Sequence, residues 1–156
     1  MVKRAWDLLD TPYRWGGKSV LRDGGLDCSG LVEDCIRTSL GYLPYTGPKT
    51  AHDQLKWWKL NHENRVFSEF PDLLLPDGFL IYWWNTAKKH VAHVEICVSS
   101  TVSIGARGDS RASGADWYEK AKKHDMRVKC RKWVGRRREI AGIVNPFIPL
   151  PIPKEE

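Results

Sequence analysis

The apolar residues of this chain change period part-way along it, and that change constrains the fold more than any other feature. Up to about residue 58 they recur at helical spacing, whereas from Gly78 onward they sit in short runs rich in β-branched and aromatic residues. Helices first and strands later point to an α+β domain in which N-terminal helices pack on a mainly antiparallel sheet. In the first part, residues 2–9 suggest a short helix through Val2, Ala5, Trp6 and Leu9, stopped by Thr11 and Pro12, and residues 11–25 read as a loop. Cys28, Leu31, Val32, Cys35, Ile36 and Leu40 specify a second helix, with Asp27 suited to the N-cap and Gly41 to the C-cap. Thr50 can cap a third, running through Trp57 or Trp58, with a loop from there to about Pro76. Strands are expected in GFLIYWW, AHVEICVSS, VSIGA, MRVKCRKWV and EIAGIVN, and a helix in ASGADWYEKAKKH. Residues 1–147 form one expected domain and 148–156 a Pro-rich, extended tail.

Composition sets the broad class. A chain of 156 residues with 42% hydrophobic content can bury a core without metals or disulfides. No run approaches the ~18 apolar residues of a membrane helix, so no membrane insertion is expected. The first residues lack the apolar stretch of a secretory signal. Cys28, Cys35, Cys97 and Cys130 form no close CxxC pair, which argues for free thiols made in a reducing compartment and against a zinc site. The net charge of +6 favours encounters with anionic partners, nucleic acid or wall polymers alike. Arg131, Lys132, Arg136, Arg137 and Arg138 are the densest basic cluster, open to reading as a solvated face or a binding patch. The eight tryptophans are spread along the chain rather than interleaved with that cluster, so nucleic-acid binding is not expected.

Two residues stand out for chemistry. Cys28 opens a helix, where unpaired N–H groups and the positive dipole end favour a thiolate; the plain alternative is a small buried hydrophobe. A cysteine nucleophile needs a base, and of the histidines at 52, 62, 90, 93 and 124 only His93 sits well inside a strand pattern. Alternation puts His93, Glu95 and Cys97 on one face and Val94, Ile96 and Val98 on the other. His90, three residues away, falls on the opposite side, which argues against HVAH as a metal clip.

The stretch TPYRWGG followed after residues 18–26 by DCSGLV resembles the signature of the NlpC/P60 peptidases, whose fold is papain-like. LPDGFLIYWW, AHVEICV and EIAGIVNPF are similar, in order, to three later strands of that family. The resemblance implies Cys28 as nucleophile and His93 as general base and acid. It also implies Tyr13 beside the thiol as an oxyanion donor, Asp27 and Ser29 as substrate contacts (Asp27 serving equally well as a helix cap), and no metal or other cofactor. The implied substrate is peptidoglycan or its muropeptides, cut at the γ-D-glutamyl to diamino-acid bond. The same core also serves amidases, acyltransferases and thioesterases, and a non-catalytic wall-binding or virion module is a further alternative. GARGDS resembles a turn of phage-type members; without an export signal, a phage particle, a holin or a secretion machine would carry such an enzyme to the wall.

One family feature is missing. A third polar residue, most often His, usually lies about 12 positions after the base and orients its ring; here that position is Gly105. Glu95, Ser103, a main-chain carbonyl or a water are candidate replacements. Because residues two apart on a strand are spaced by about 7 Å, Glu95 is not expected to reach the ring, and the dyad is expected to work without a side-chain orienter.

Overall fold

A computed structural model describes residues 1–67 and 75–147. The expected Pro-rich tail lies outside the described residues. The chain begins with α1 (Val2–Asp7), then makes a small hairpin-like unit where a plain loop is expected: β1 (Lys18–Ser19), α2 (Val20–Asp23) and β2 (Gly25–Leu26). Asp23 accounts for it, because its carboxylate accepts from the main-chain N–H groups of Lys18 and Ser19 and folds the segment back on itself. Next come α3 (Cys28–Leu40), α4 (Ala51–Asn61), a single 3₁₀ turn and β3 (Val66–Phe67). The second half supplies β4 (Leu80–Trp84), β5 (Val91–Cys97), β6 (Val102–Arg107), α5 (Trp117–Lys123), β7 (Arg127–Lys132) and β8 (Ile140–Val144). Six strands form one antiparallel sheet in the order β3-β8-β4-β5-β6-β7. The α+β fold read from the sequence is the fold observed.

α3 is built as its sequence dictates. Asp27 accepts a hydrogen bond from the Gly30 N–H at 2.6 Å, and Gly41 ends the helix in the left-handed region at φ 77°. Leu31, Val32, Cys35 and Ile36 are fully buried. They join Leu80, Tyr82, Val94, Ile96 and Ile104 of the sheet in the larger of two apolar clusters. Ile81, Trp83, Cys97, Trp133, Ile140 and Ile143 form the second. The division follows strand alternation, with Ile81 paired to Glu95 and Trp83 to His93 across β4 and β5. α4 carries the expected Thr50 cap but runs to Asn61, past Trp57 and the fully buried Trp58, and the Asn61 side chain donates back to the Trp57 carbonyl at 2.9 Å in its last turn. Among the described residues no helix is long and apolar enough to cross a membrane.

Candidate active site

The start of α3 is held by a polar cluster that the sequence only half announced. Lys18 donates to Asp27 at 3.0 Å and to the Lys49 carbonyl at 2.9 Å, and also reaches the Ser29 hydroxyl. The Ser29 hydroxyl in turn donates to Asp27 at 2.9 Å. Gln54, wholly buried, donates to the Ser29 carbonyl and to Glu33, both at 3.2 Å. Burial raises the Glu33 carboxyl above its usual range, against the pull of nearby Lys18. Backbone contact is equally close: a Cβ on Gly30 would lie 2.1 Å from the Gly17 carbonyl oxygen. The glycines of WGG and of DCSG therefore interlock, and this fixes where the helix begins. Asp27 and Ser29 are 9% and 1% exposed, so the structure places both inside this cluster, as cap and brace of α3.

Cys28, the first residue of α3, is half-buried with a free thiol. Tyr13 lies next to it, 3% exposed, in space left by Gly108, where a Cβ would come within 2.4 Å of the tyrosine ring. Burial, then the negative charges of Cys28 and Asp27, push the Tyr13 phenol well above its ordinary value, so it keeps its proton and remains a donor.

His93 stands on β5 next to a β-bulge, since Trp83 pairs with His93 but Trp84 with Val91, leaving Ala92 unpaired. Such bulges bend a strand and re-aim the neighbouring side chain. The ring is hydrogen-bonded to Glu95, whose Oε1 is 3.1 Å from Nε2, and it lies near enough to the Cys28 thiol to interact with it electrostatically. Burial lowers the basicity of His93, but the contacts with Cys28 and Glu95 outweigh it and raise the pKa above the usual histidine value. The expectation that Glu95 would fall short of the ring is thus corrected. The 7 Å figure separates backbones, whereas the two long side chains lean together along the strand.

Glu95 is fully buried and itself pinned. Arg131 of β7 donates to it at 2.7 Å and the Ser103 hydroxyl of β6 at 2.7 Å. The Arg131 guanidinium lies 4.7 Å from the centre of the Trp83 ring, and that of Arg136 lies 4.6 Å from it. The basic cluster of the sequence is therefore divided: Arg131 turns inward to a carboxylate and Arg136 caps a tryptophan. Neither Arg131 nor Lys18 stood out as a site residue, because the partner of each is distant in sequence or hidden by the turn between them. Alternation along β7, pairing Arg131 with Ser103, is the signal that could have found Arg131.

His93 opens onto a groove of 490 Å³ lined by Arg107, Arg111, His124, Lys129 and Arg136, with Asp109 and Asp125 as its acidic members. His52 and His62 are elsewhere, the first accepting from the Val91 N–H and the second against Trp57 and Trp58. His90 is exposed in the β4–β5 turn. Among the described residues no cluster of three or more His, Cys, Asp or Glu side chains could hold a metal ion.

The NlpC/P60 family model matches residues 10–133, more than half of the chain. Among solved structures, the NlpC/P60 domain of the peptidoglycan hydrolase SagA is similar at 20% identity and a TM-score of 0.59, over 92% of this chain and 94% of that one. An NlpC/P60 family protein from Bacillus cereus is 22% identical with a TM-score of 0.58, over 93% of this chain but 40% of the other. NlpC1 from Trichomonas vaginalis is 20% identical with a TM-score of 0.59, over 92% of this chain and 41% of its own. This chain thus spans less than half of those two longer proteins. No curated protein sequence matches. With the family model spanning both motifs, the helix that carries Cys28 and the strand that carries His93, the chain belongs to the NlpC/P60 family.

Proposed function

We propose that the chain is a cysteine peptidase that cuts stem peptides of peptidoglycan, with Cys28 as nucleophile and His93 as general base and acid. The observation that carries this reading is the placement of the His93 ring within electrostatic reach of a thiol at the first position of α3. A helix N-terminus supplies unpaired N–H groups and a positive potential, both of which favour a thiolate over a thiol. His93, with its raised pKa, holds the proton that Cys28 gives up. The thiolate attacks the scissile carbonyl, and the resulting oxyanion is stabilised by main-chain N–H groups at the start of α3 and by the protonated Tyr13 hydroxyl. Imidazolium then protonates the leaving amine, and water activated by neutral His93 hydrolyses the thioester.

The substrate class follows from the family and from charge. One similar structure is the domain of a peptidoglycan hydrolase. The groove beside His93 has a cationic rim that suits a peptide bearing free carboxylates, as stem peptides do. Within that class, the γ-D-glutamyl to diamino-acid bond is the bond we assign. Digestion of purified muropeptides, with products identified by mass, tests the assignment. Release of a free diamino-acid peptide by the parent, and by neither C28A nor H93A, is expected. Cleavage of a different amide or transfer of an acyl group would give the site to one of the other chemistries of this fold. Products unchanged in C28A would remove Cys28 from the reaction.

A further inference from the structure

The ring of a catalytic histidine must be held in one orientation and one tautomer, and the position from which this family usually does so is here a glycine. We propose that Glu95, reaching from two residues further along the same strand, orients the His93 imidazole in place of the side chain absent at Gly105, and that residue 105 is glycine because Glu95 and His93 fill its side-chain space. This rests on the reading of Cys28 and His93 as the reacting pair.

Three observations converge on it. Glu95 Oε1 lies 3.1 Å from His93 Nε2, so the carboxylate engages one nitrogen of the ring directly. The carboxylate has no freedom to turn away, because Ser103 holds Oε2 at 2.7 Å and Arg131 donates to both oxygens at 2.7 and 2.9 Å. Finally, a Cβ on Gly105 would stand 2.6 Å from Glu95 Cγ, 3.0 Å from its Oε1 and 3.0 Å from His93 Nε2. A side chain at 105 and a carboxylate at 95 therefore compete for one volume beside the same ring nitrogen. The orienting group stands on β5 while β6 leaves space for it at Gly105, and Ser103 and Arg131 on β6 and β7 aim it from behind.

The move changes the chemistry as well as the position. A neutral orienter fixes the ring but leaves its charge unsupported, whereas a carboxylate also stabilises the imidazolium. That support matters here. Apart from Cys28 and Glu95, the titratable and charged groups of the groove onto which the ring opens are Arg131 and Lys129 from β7, Arg136 beyond it, Arg107 at the end of β6, the Asp109–Arg111 pair, and His124 and Asp125 after α5. The groove is richer in cations than in anions, and what opposes a charge on the ring is its own burial; Glu95, fully buried beside it, supplies a negative charge that offsets that burial.

E95Q keeps the shape of the side chain and removes its charge. Relative to the parent, kcat on muropeptides should fall by about 100-fold or more, within the ~10⁴ that an acid-to-amide change costs a serine-protease triad, while KM changes little. The alkaline limb of the rate profile should move to lower pH, and so should the His93 titration followed by NMR of the imidazole. Should E95Q fail to fold, G105A reads the same contact from the other side. Its Cβ forces Glu95 and His93 apart, and the same loss of kcat and the same fall in the His93 pKa are expected. Activity within a few-fold of the parent together with an unmoved His93 titration, in either folded variant, overturns the proposal. If the parent cleaves no muropeptide, the peptidase reading fails by itself, and the His93 titration in E95Q still decides whether Glu95 governs the ring.

Discussion

At the scale of single residues, the four cysteines show how environment assigns different fates to one side chain. Cys28 meets a helix terminus and an imidazole, Cys35 and Cys97 are buried, and Cys130 is exposed. Burial pushes the Cys35 thiol up to about 12 and the Cys97 thiol up to about 11, which keeps both inert at neutral pH. Cys35 is two turns along α3 from Cys28 but lies wholly within the core, so Cys35→Ala should lower stability by about 1 kcal/mol as a small buried deletion. Activity per folded molecule should be kept. Denaturant melts paired with rates corrected for the folded fraction would check this, and an inactive, normally folded C35A would contradict it. Cys28 and His93 stand out as candidates because each combines a reactive side chain with a recognisable local pattern, a capped helix start and a strand. Glu95 was legible as a face-mate of His93 but not as a contact. Its aim depends on Ser103 and Arg131, which sit on two other strands, and no local spacing encodes that pairing.

Among the elements, α3 matters most, because its first residue is the proposed nucleophile and its start must be placed accurately. The cap by Asp27 contributes on the order of 1 kcal/mol, and the motif carrying it is readable in any linear scan. The tertiary lock on the same turn was not readable, since it arises where Gly30 meets the Gly17 carbonyl from the preceding unit. The WGG and DCSG motifs look like separate signatures in the sequence and are one contact in space. Gly30→Ala should therefore be costly although alanine is the better helix former: a Cβ 2.1 Å from a carbonyl oxygen requires backbone movement. We expect a loss of roughly 2 kcal/mol or more, beyond the usual surface range, together with a large fall in activity as the thiol shifts. A G30A protein as stable and active as the parent would show that the turn can relax. The unit formed by β1, α2 and β2 escaped the sequence reading for a related reason: two-residue strands have no period to detect, and their register depends on the Asp23 carboxylate.

Across the whole molecule, the sheet order brings the site together. Antiparallel pairing of β5 with β6 and of β6 with β7 sets Cys97, Ser103 and Arg131 in one row across the sheet, from which Ser103 and Arg131 reach the Glu95 carboxylate beside His93, and the large apolar cluster fixes α3 against the same sheet. The switch from helical to extended period foretold these layers, but not the order of the strands within the sheet, which depends on long-range pairing. In the proposed mechanism this assembly makes one particular thiol a nucleophile. Alkylation by iodoacetamide at neutral pH, with each cysteine followed by peptide mapping, tests it directly, because Cys130 serves as an exposed internal reference on the same chain. Half-buried Cys28 should react faster than Cys130, H93A should abolish this advantage, and Cys35 and Cys97 should stay unlabelled while the protein is folded. Labelling of Cys130 ahead of Cys28 in the folded parent, or an advantage for Cys28 that survives in H93A, would contradict that mechanism.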